Sequence, residues 1–534
     1  MKWSQLLSEL NARSVQLSAS EDELIIRAPE GNLSPEMWQY IAHYKSSLLK
    51  LLRDDSQDKT DGKAAQVVPQ ISERFKPFPL TPIQQVYWLG RSPSFELGRV
   101  GIHVYEELDC RNLDLTRLNQ AWQSILKRHE MLRVVVLPDG QQQILPEAEY
   151  PIEILDLREF ETNEQQIRLE KLRRQLVQKV YDPLQFPLFT ICACRLNEEK
   201  TRLFISIDAL HVDMGSFAIL FGEWSMLYED PTHDLPPLTL SYRDYALTVE
   251  GFRHQESFRR AQSYWQSRAA QLHLPPALPY TKAFSEITKQ TFVRYSGRLE
   301  QAQWQKLKQR AAAAGVTPSG ITLSAMVEVL ARWSQEQRFT LNVTLFNRLP
   351  IHPEVNKIVG DFTSMIPLPI DCRADGASFA ERAASWQKLV WEGLDHRIVS
   401  GIEVLREYKR SQQQTQLGQL NLPVVFTSTL NLSQQGVLPL KKFGERIFNR
   451  IQTPQVSLDL QVYEEDGDLI FNWDGVKELF PPETLEQMFG AYRNLLEKLA
   501  DETDVWNDSY GEIVSVPQSE SRLSLNQTGK PLVS

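Results

Sequence analysis

The chain has 534 residues, too many for one ordinary core, so two or three packed units are expected. At 42% hydrophobic, 24% charged and a net charge of -10, the composition is globular and excludes a generally basic surface for nucleic acid or anionic lipid. No apolar run reaches the roughly 18 residues of a membrane helix, and Met1 to Glu9 lack the apolar core of a signal peptide. Residues 1–53 read as a small separate unit. Trp3, Leu6, Leu7 and Leu10 recur at helical spacing. Val15 with Leu17, and Leu24 with Ile26, alternate as two short strands around a polar turn at 18–22. Ser34 is suited to cap a helix and Pro35 to begin it; Met37, Ile41, Tyr44, Leu48 and Leu52 mark one face of that helix. Residues 54–74 are polar and aperiodic, a linker.

A large body follows over 75–510. Leu203 to Ile207 reads as a buried strand and Ser216 to Tyr228 as the helix after it. Further helices are expected at Trp304–Arg310, Ser319–Trp333 and Pro482–Leu499. Strands are expected at Phe189–Arg195, Thr340–Phe346, Ser364–Ile370, Pro423–Thr427, Val456–Tyr463 and Leu469–Trp473. Strands and helices alternate over about 75–245 and again over about 290–500, with a Pro-rich segment at 274–279 between them, which predicts two α/β lobes. The polar stretch 511–534 reads as another linker.

Four irregularly spaced cysteines (Cys110, Cys192, Cys194, Cys372) do not make a disulfide framework, and a reduced, cytoplasmic protein is expected. No His-Glu-x-x-His, Cys-x-x-Cys or Gly-rich phosphate loop occurs, so neither a metal nor a nucleotide is expected. Cys192 and Cys194 read as small core residues on one face of a strand.

The segment Asp208-Ala209-Leu210-His211-Val212-Asp213-Met214-Gly215-Ser216 stands where an apolar strand stops and a helix begins, a favoured place for site residues. Two carboxylates five positions apart repel unless each has its own partner. On the residues alone they read as helix-capping or salt-bridged anchors of a buried loop.

Asp-x-x-x-x-Asp-x-x-Ser over Asp208–Ser216 resembles the signature of the heterocyclization domains of nonribosomal peptide synthetases. These are relatives of condensation domains and of chloramphenicol acetyltransferase. Further motifs of that family are matched in order: Phe78 to Arg91, Arg128 to Arg133, Leu238 to Tyr245, Gly360 to Ser364, Pro423 to Ser428, and Gln452 to Asp459. Residues 1–53 resemble the N-terminal docking domain of the tubulysin type. The resemblance implies an α/β body of two chloramphenicol-acetyltransferase-like lobes, a V-shaped pseudo-dimer around a central tunnel, preceded by a small α+β docking domain. Amide-forming relatives carry His-His-x-x-x-Asp-Gly; the position of their second His is Ala209 here, and His211 lies two residues from Asp213 rather than four.

The implied reaction joins a carrier-bound acyl thioester to carrier-bound Cys, Ser or Thr and then closes a thiazoline or oxazoline ring. In ring closure a hydroxyl leaves as water, and hydroxide is a poor leaving group, so a proton donor is required. A buried carboxyl, its pKa raised by desolvation, supplies one. On alternation alone, Gln455, Ser457, Asp459 and Gln461 form the polar face of a strand whose other face is Val456, Leu458, Leu460 and Val462. That pattern reads as a solvent-facing sheet edge, and Thr427 as a buried Thr bonded to backbone. The resemblance instead implies that Asp459 faces the tunnel and drives cyclodehydration, and that Thr427 orients it. It also implies that Arg348 pairs with an Asp of the 208–216 loop, Asp213 foremost, so that Asp208, Asp213, Ser216 and Arg348 support the architecture. Asn347, Ser457 and Gln455 are then candidates for substrate binding or site support.

The same resemblance implies no directly bound cofactor: substrates arrive on the phosphopantetheine arms of upstream and downstream carrier proteins. The C-terminal tail of an upstream subunit would pair with the strand carrying Ile26 and Arg27. Leu525 to Gly529 resembles the start of a linker to a downstream adenylation domain, so the chain reads as a piece of a longer bacterial, cytoplasmic subunit. Two alternatives stay open on sequence: an amide-forming condensation domain without cyclization, and a non-catalytic recruitment platform.

Overall fold

The computed structural model describes residues 16–20, 23–27, 67–91, 101–373, 376–411, 421–430, 439–509 and 513–514. The helices expected before residue 15 and over 37–52, the linker as far as 66 and the tail beyond 514 lie outside the described residues. The expected hairpin is present: β1 (Gln16–Ser20) pairs antiparallel with β2 (Glu23–Arg27), Leu17 opposite Ile26.

In the body, β3 (Phe78–Pro79) leads into α1 (Pro82–Leu89). Thr81 caps that helix reciprocally: the Gln84 N–H donates to the Thr81 hydroxyl, and the Thr81 N–H donates to the Gln84 side chain. Then come β4 (His103–Arg111), α2 (Leu115–Arg128), β5 (Val134–Val136), β6 (Gln141–Ile144), β7 (Glu153–Asp156) and α3 (Thr162–Val177). They are followed by β8 (Phe189–Arg195), β9 (Lys200–Asp208), α4 (Met214–Glu229) and α5 (Tyr242–Gly251). Apolar residues of β8 and β9 pack under α2 and α4, where Trp122 lies 4.9 Å from Trp224 and 5.2 Å from Phe189, centroid to centroid.

The second half holds α6 (Glu256–Arg268), β10 (Phe292–Leu299), α7 (Gln301–Ala313), α8 (Pro318–Trp333), β11 (Arg338–Phe346), β12 (Thr363–Asp371), α9 (Phe379–Asp395) and α10 (Gly401–Ser411). It ends with β13 (Val424–Ser428), β14 (Glu445–Gln452), β15 (Leu458–Glu465), β16 (Asp468–Val476) and α11 (Thr484–Asp501). Its six-stranded sheet runs β10-β16-β15-β13-β11-β12, with β13 parallel to both neighbours. α8 is buried along almost its whole length, as its nearly uninterrupted apolar sequence requires.

One strand departs from the expected division. β14 leaves the second half and pairs antiparallel with β4, Arg450 opposite Tyr105, so the first sheet runs β14-β4-β9-β8-β7. Its sequence, Glu-Arg-Ile-Phe-Asn-Arg-Ile-Gln, is too polar to read as a strand, because its charges are answered across the joint. Arg446 meets buried Glu106 at 2.9 Å, and Arg450 donates to the Phe292 carbonyl at 2.7 Å. The linker's last residues are also laid on the body: the Val67 N–H donates to the Ile351 carbonyl, and Arg74 donates to the Thr239 carbonyl at 2.7 Å. Among the described residues, no single helix is long and apolar enough to cross a membrane.

Candidate active site

Asp459 lies on β15, opposite Val425 of β13 on one side and Asp474 of β16 on the other. It is 7% exposed. Its Oδ1 accepts a hydrogen bond from the Thr427 hydroxyl at 3.2 Å, and its Oδ2 accepts one from Gln461 Nε2 at 2.7 Å. Thr427 Oγ1 is also 3.1 Å from Thr344 Oγ1 on β11. Burial pushes the Asp459 carboxyl up to about 7, with the Asp474 charge adding to it, while the bonds from Gln461 and Thr427 and the Arg294 charge pull the other way. Desolvation wins. The result is a carboxyl that holds a proton and can release it near neutral pH, which is what a general acid needs.

From the first half of the chain, Tyr87 comes near enough to feel the Asp459 charge. Tyr87 of α1 is buried, and its phenol is pushed well up, first by burial and then by the nearby charges of Asp361 and Asp459. The hydroxyl of Thr363, at the start of β12, opposes that rise. Tyr87 stands in the opening motif, but sequence reasoning gave it no role; one aromatic among several carries no signal of where it points.

The 208–216 loop is welded to the other half. Asp213 caps α4, accepting from the Ser216 N–H at 2.7 Å, and its Oδ1 also accepts from Arg348 Nη2 at 2.9 Å. Ser216 Oγ donates to the Gly360 carbonyl at 2.7 Å, and it accepts from the Gly360 N–H at 3.0 Å and from Arg348 at 2.9 Å. Arg348 further donates to the Val355 and Ile358 carbonyls and stacks 3.9 Å over the Phe362 ring. Asp208 has a different partner. Its Oδ1 accepts from Arg91 at 2.6 Å and from the Leu210 N–H at 2.9 Å. Arg91 closes the opening motif, 117 positions away, and sequence reasoning did not pair it. His211 is fully buried, and burial pushes it down to about 4, so it is neutral.

The remaining candidates are not gathered around Asp459. Asn347 donates from Nδ2 to the Arg397 carbonyl at 3.1 Å, while its Oδ1 is buried without a partner. Ser457 is fully buried and bonds to the Tyr280 hydroxyl at 2.9 Å and the Pro423 carbonyl at 3.1 Å. Gln455 sits half-buried before β15 with φ of 62°, in the left-handed region. Both precede β15, which begins at Leu458, and Gln455 stands in the turn that leads into it. Asp361 is buried with Oδ1 accepting from the Thr363 N–H. Ile26 and Arg27 lie at the end of β2, opposite Leu17 and Gln16. Among the described residues, no group of three metal-ligating side chains converges.

Comparison with known proteins identifies this arrangement. The condensation-domain family matches residues 76–521, and the TubC N-terminal docking domain family matches residues 4–54. The cyclization-docking bidomain of EpoB from Sorangium cellulosum is 44% identical with a TM-score of 0.81, covering 93% of this chain and 98% of that one. Pyochelin synthetase PchF of Pseudomonas aeruginosa is 32% identical over 95% of this chain and 27% of its own length. Phenyloxazoline synthase MbtB of Mycobacterium tuberculosis is 35% identical over 85% of this chain and 32% of its own. The chain spans between 8% and 36% of the length of the curated relatives it matches. With both family matches, and with the fold shared along almost the whole of a cyclization-docking bidomain, the chain belongs to the condensation-domain family of nonribosomal peptide synthetases, in its heterocyclization branch, with a docking domain at its N-terminal end.

Proposed function

We propose that this chain condenses a carrier-bound acyl thioester with carrier-bound Cys, Ser or Thr and then cyclodehydrates the product to a thiazoline or oxazoline. The observation that carries the reading is a buried carboxyl, Asp459, held by Thr427 and Gln461 and poised to protonate near neutral pH. In the first step the amine attacks the thioester carbonyl and the thiol of the donor arm leaves. Proximity supplies much of that rate. In the second, the Cys, Ser or Thr side chain adds to the new amide carbonyl. Asp459 then gives its proton to the resulting hydroxyl, the C–O bond breaks and water leaves. The ring N–H returns a proton to the carboxylate, so the acid is regenerated. Relatives named for pyochelin and phenyloxazoline synthesis support the ring-forming assignment.

The test is intact-mass measurement of the acceptor carrier after reaction with an acyl-carrier donor. A product one water below the linear amide is expected. A product that stops at the linear mass would make this an amide-forming domain, and partner binding without turnover would make it a platform.

Substrates reach the site on phosphopantetheine arms, in the bacterial cytoplasm, within a longer subunit that continues into an adenylation domain. The partner at the other end is the C-terminal tail of an upstream subunit. The mode of binding this reading implies is a strand added beside β2, with the positive charge of Arg27 answering an acidic tail. Removing residues 1–53 is expected to slow transfer from a tail-bearing upstream carrier in trans and to leave a small-molecule thioester donor unaffected. Equal loss with both donors would count against docking.

A further inference from the structure

Asp459 is served by a second row of residues. Across three neighbouring strands, Arg294 of β10, Asp474 of β16 and Asp459 of β15 stand directly opposite one another. Arg294 is committed to Asp474 through Nε at 2.7 Å and through Nη2. Its Nη1 donates to Asn449 of β14 at 2.6 Å, which ties it to the other sheet. Its Nη2 also reaches past Asp474 to Gln461 Oε1 at 3.4 Å. Gln461 lies two residues beyond Asp459 on the same strand face, 8% exposed.

A side-chain amide has one accepting end and one donating end. Arg294 has only donors, so the end of Gln461 that meets it must be the oxygen. The nitrogen is left facing Asp459 Oδ2. An N–H cannot accept a proton, so a protonated Asp459 must carry its hydrogen on Oδ1, the oxygen beside Thr427. With the amide reversed, Oδ2–H would donate to Gln461, and the proton would be parked away from Thr427. We propose that Arg294 and Gln461 are positioning residues for ring closure, fixing the transferable proton of Asp459 on the oxygen that Thr427 shares. Thr427 fits both states. It donates to Oδ1 when Asp459 is ionised, and it accepts from Oδ1–H while donating to Thr344 when Asp459 is protonated.

The inference deepens the reading of Asp459 as the acid and rests on it. The charged or titratable groups facing Asp459 are Asp474, Arg294 and Tyr87. Gln461→Met keeps the length and removes the donor to the ionised carboxylate. Ring closure is expected to fall about tenfold or more relative to amide formation. The alkaline limb of its pH profile is expected to move up by about one to two units, the worth of one hydrogen bond to a charge. Gln461→Glu keeps the contact with Arg294 and should move the limb the same way, and it serves if the first variant does not fold. Replacing Arg294 and Asp474 together by Met and Asn avoids stranding a buried charge and should lower the ring-to-linear ratio. A role in structure alone would lower both half-reactions and leave the pH profile in place. An unchanged profile and an unchanged ring-to-linear ratio in folded Gln461 variants would overturn the inference. If Asp459→Asn itself closes the ring at the normal rate, the underlying reading fails instead, and the inference falls with it.

Discussion

Asp459→Asn is expected to accumulate the linear amide on the acceptor carrier and to form the dehydrated ring roughly 10²–10⁴-fold more slowly, the usual range for a lost general acid. The substitution keeps shape and polarity but removes the transferable proton. Amide formation leans on holding amine and thioester together, so it should survive. Thr427→Ala should lean the same way more weakly, because Gln461 still holds the other carboxyl oxygen. Carrier-bound products at matched times, resolved by mass, separate the two steps. Abolished amide formation in a folded variant would place Asp459 in the first step. Ring closure at the wild-type rate would place the proton elsewhere.

The same carboxyl fixes the pH dependence. Its pKa is raised to about 7, so the protonated, donating form predominates below that value and is lost above it. In wild-type protein, ring closure measured from preformed linear amide should fall as pH rises through 7, approaching tenfold per unit. The stability sign follows from the same shift. The folded state binds this proton more tightly than the unfolded chain, so the contribution is fully present below the ordinary Asp value and is lost as pH rises through about 7.

Much of the fold was legible because its strands are apolar runs. Leu203 to Ile207 and Val424 to Phe426 read as buried strands since burial on both sides demands continuous hydrophobic sequence. β14 was not legible for the opposite reason: Arg446 is answered by Glu106 and Arg450 by the Phe292 carbonyl, both more than a hundred positions away, and no local period records that. The site divides along the same line. Asp208 and Asp213 announced the need for counter-charges; the family resemblance pointed Arg348 at Asp213, where it lies, and only the fold assigns Arg91 to Asp208. Alternation put Gln461 on the face of Asp459, where its amide meets the carboxyl, and put Ser457 there too, whose hydroxyl is taken up by Tyr280 and the Pro423 carbonyl. The orientation of the Gln461 amide depends on Arg294, brought in from a strand 167 positions away, and has no trace in local sequence.

Arg348→Ala and Asp213→Ala are each expected to cost about 3–5 kcal/mol of stability, because each leaves the other charge buried and unpaired. The pair meets at 2.9 Å with side chains 9% and 0% exposed. The arginine variant should be the worse of the two. It also strips a donor from Ser216 and from the Val355 and Ile358 carbonyls, and removes the stack on Phe362. Asp213→Ala loses, beyond the pair, one helix cap worth about 1 kcal/mol. Arg348→Lys should recover little, since one ammonium cannot reproduce the planar fork that serves Asp213, Ser216 and two carbonyls at once. The double alanine variant should cost less than the sum of the singles, because the second substitution removes a charge already stranded. Denaturant unfolding of the four proteins measures this coupling. Additive losses would mean that the two residues do not pair. The activity signature should also differ from that of Asp459→Asn. Asp213, Ser216 and Arg348 hold Gly360 and Phe362, which lead directly into Thr363 beside Tyr87. Loosening that seam shifts the Thr363 side of the site rather than its proton donor, so amide formation and ring closure should fall together and the ring-to-linear ratio should hold.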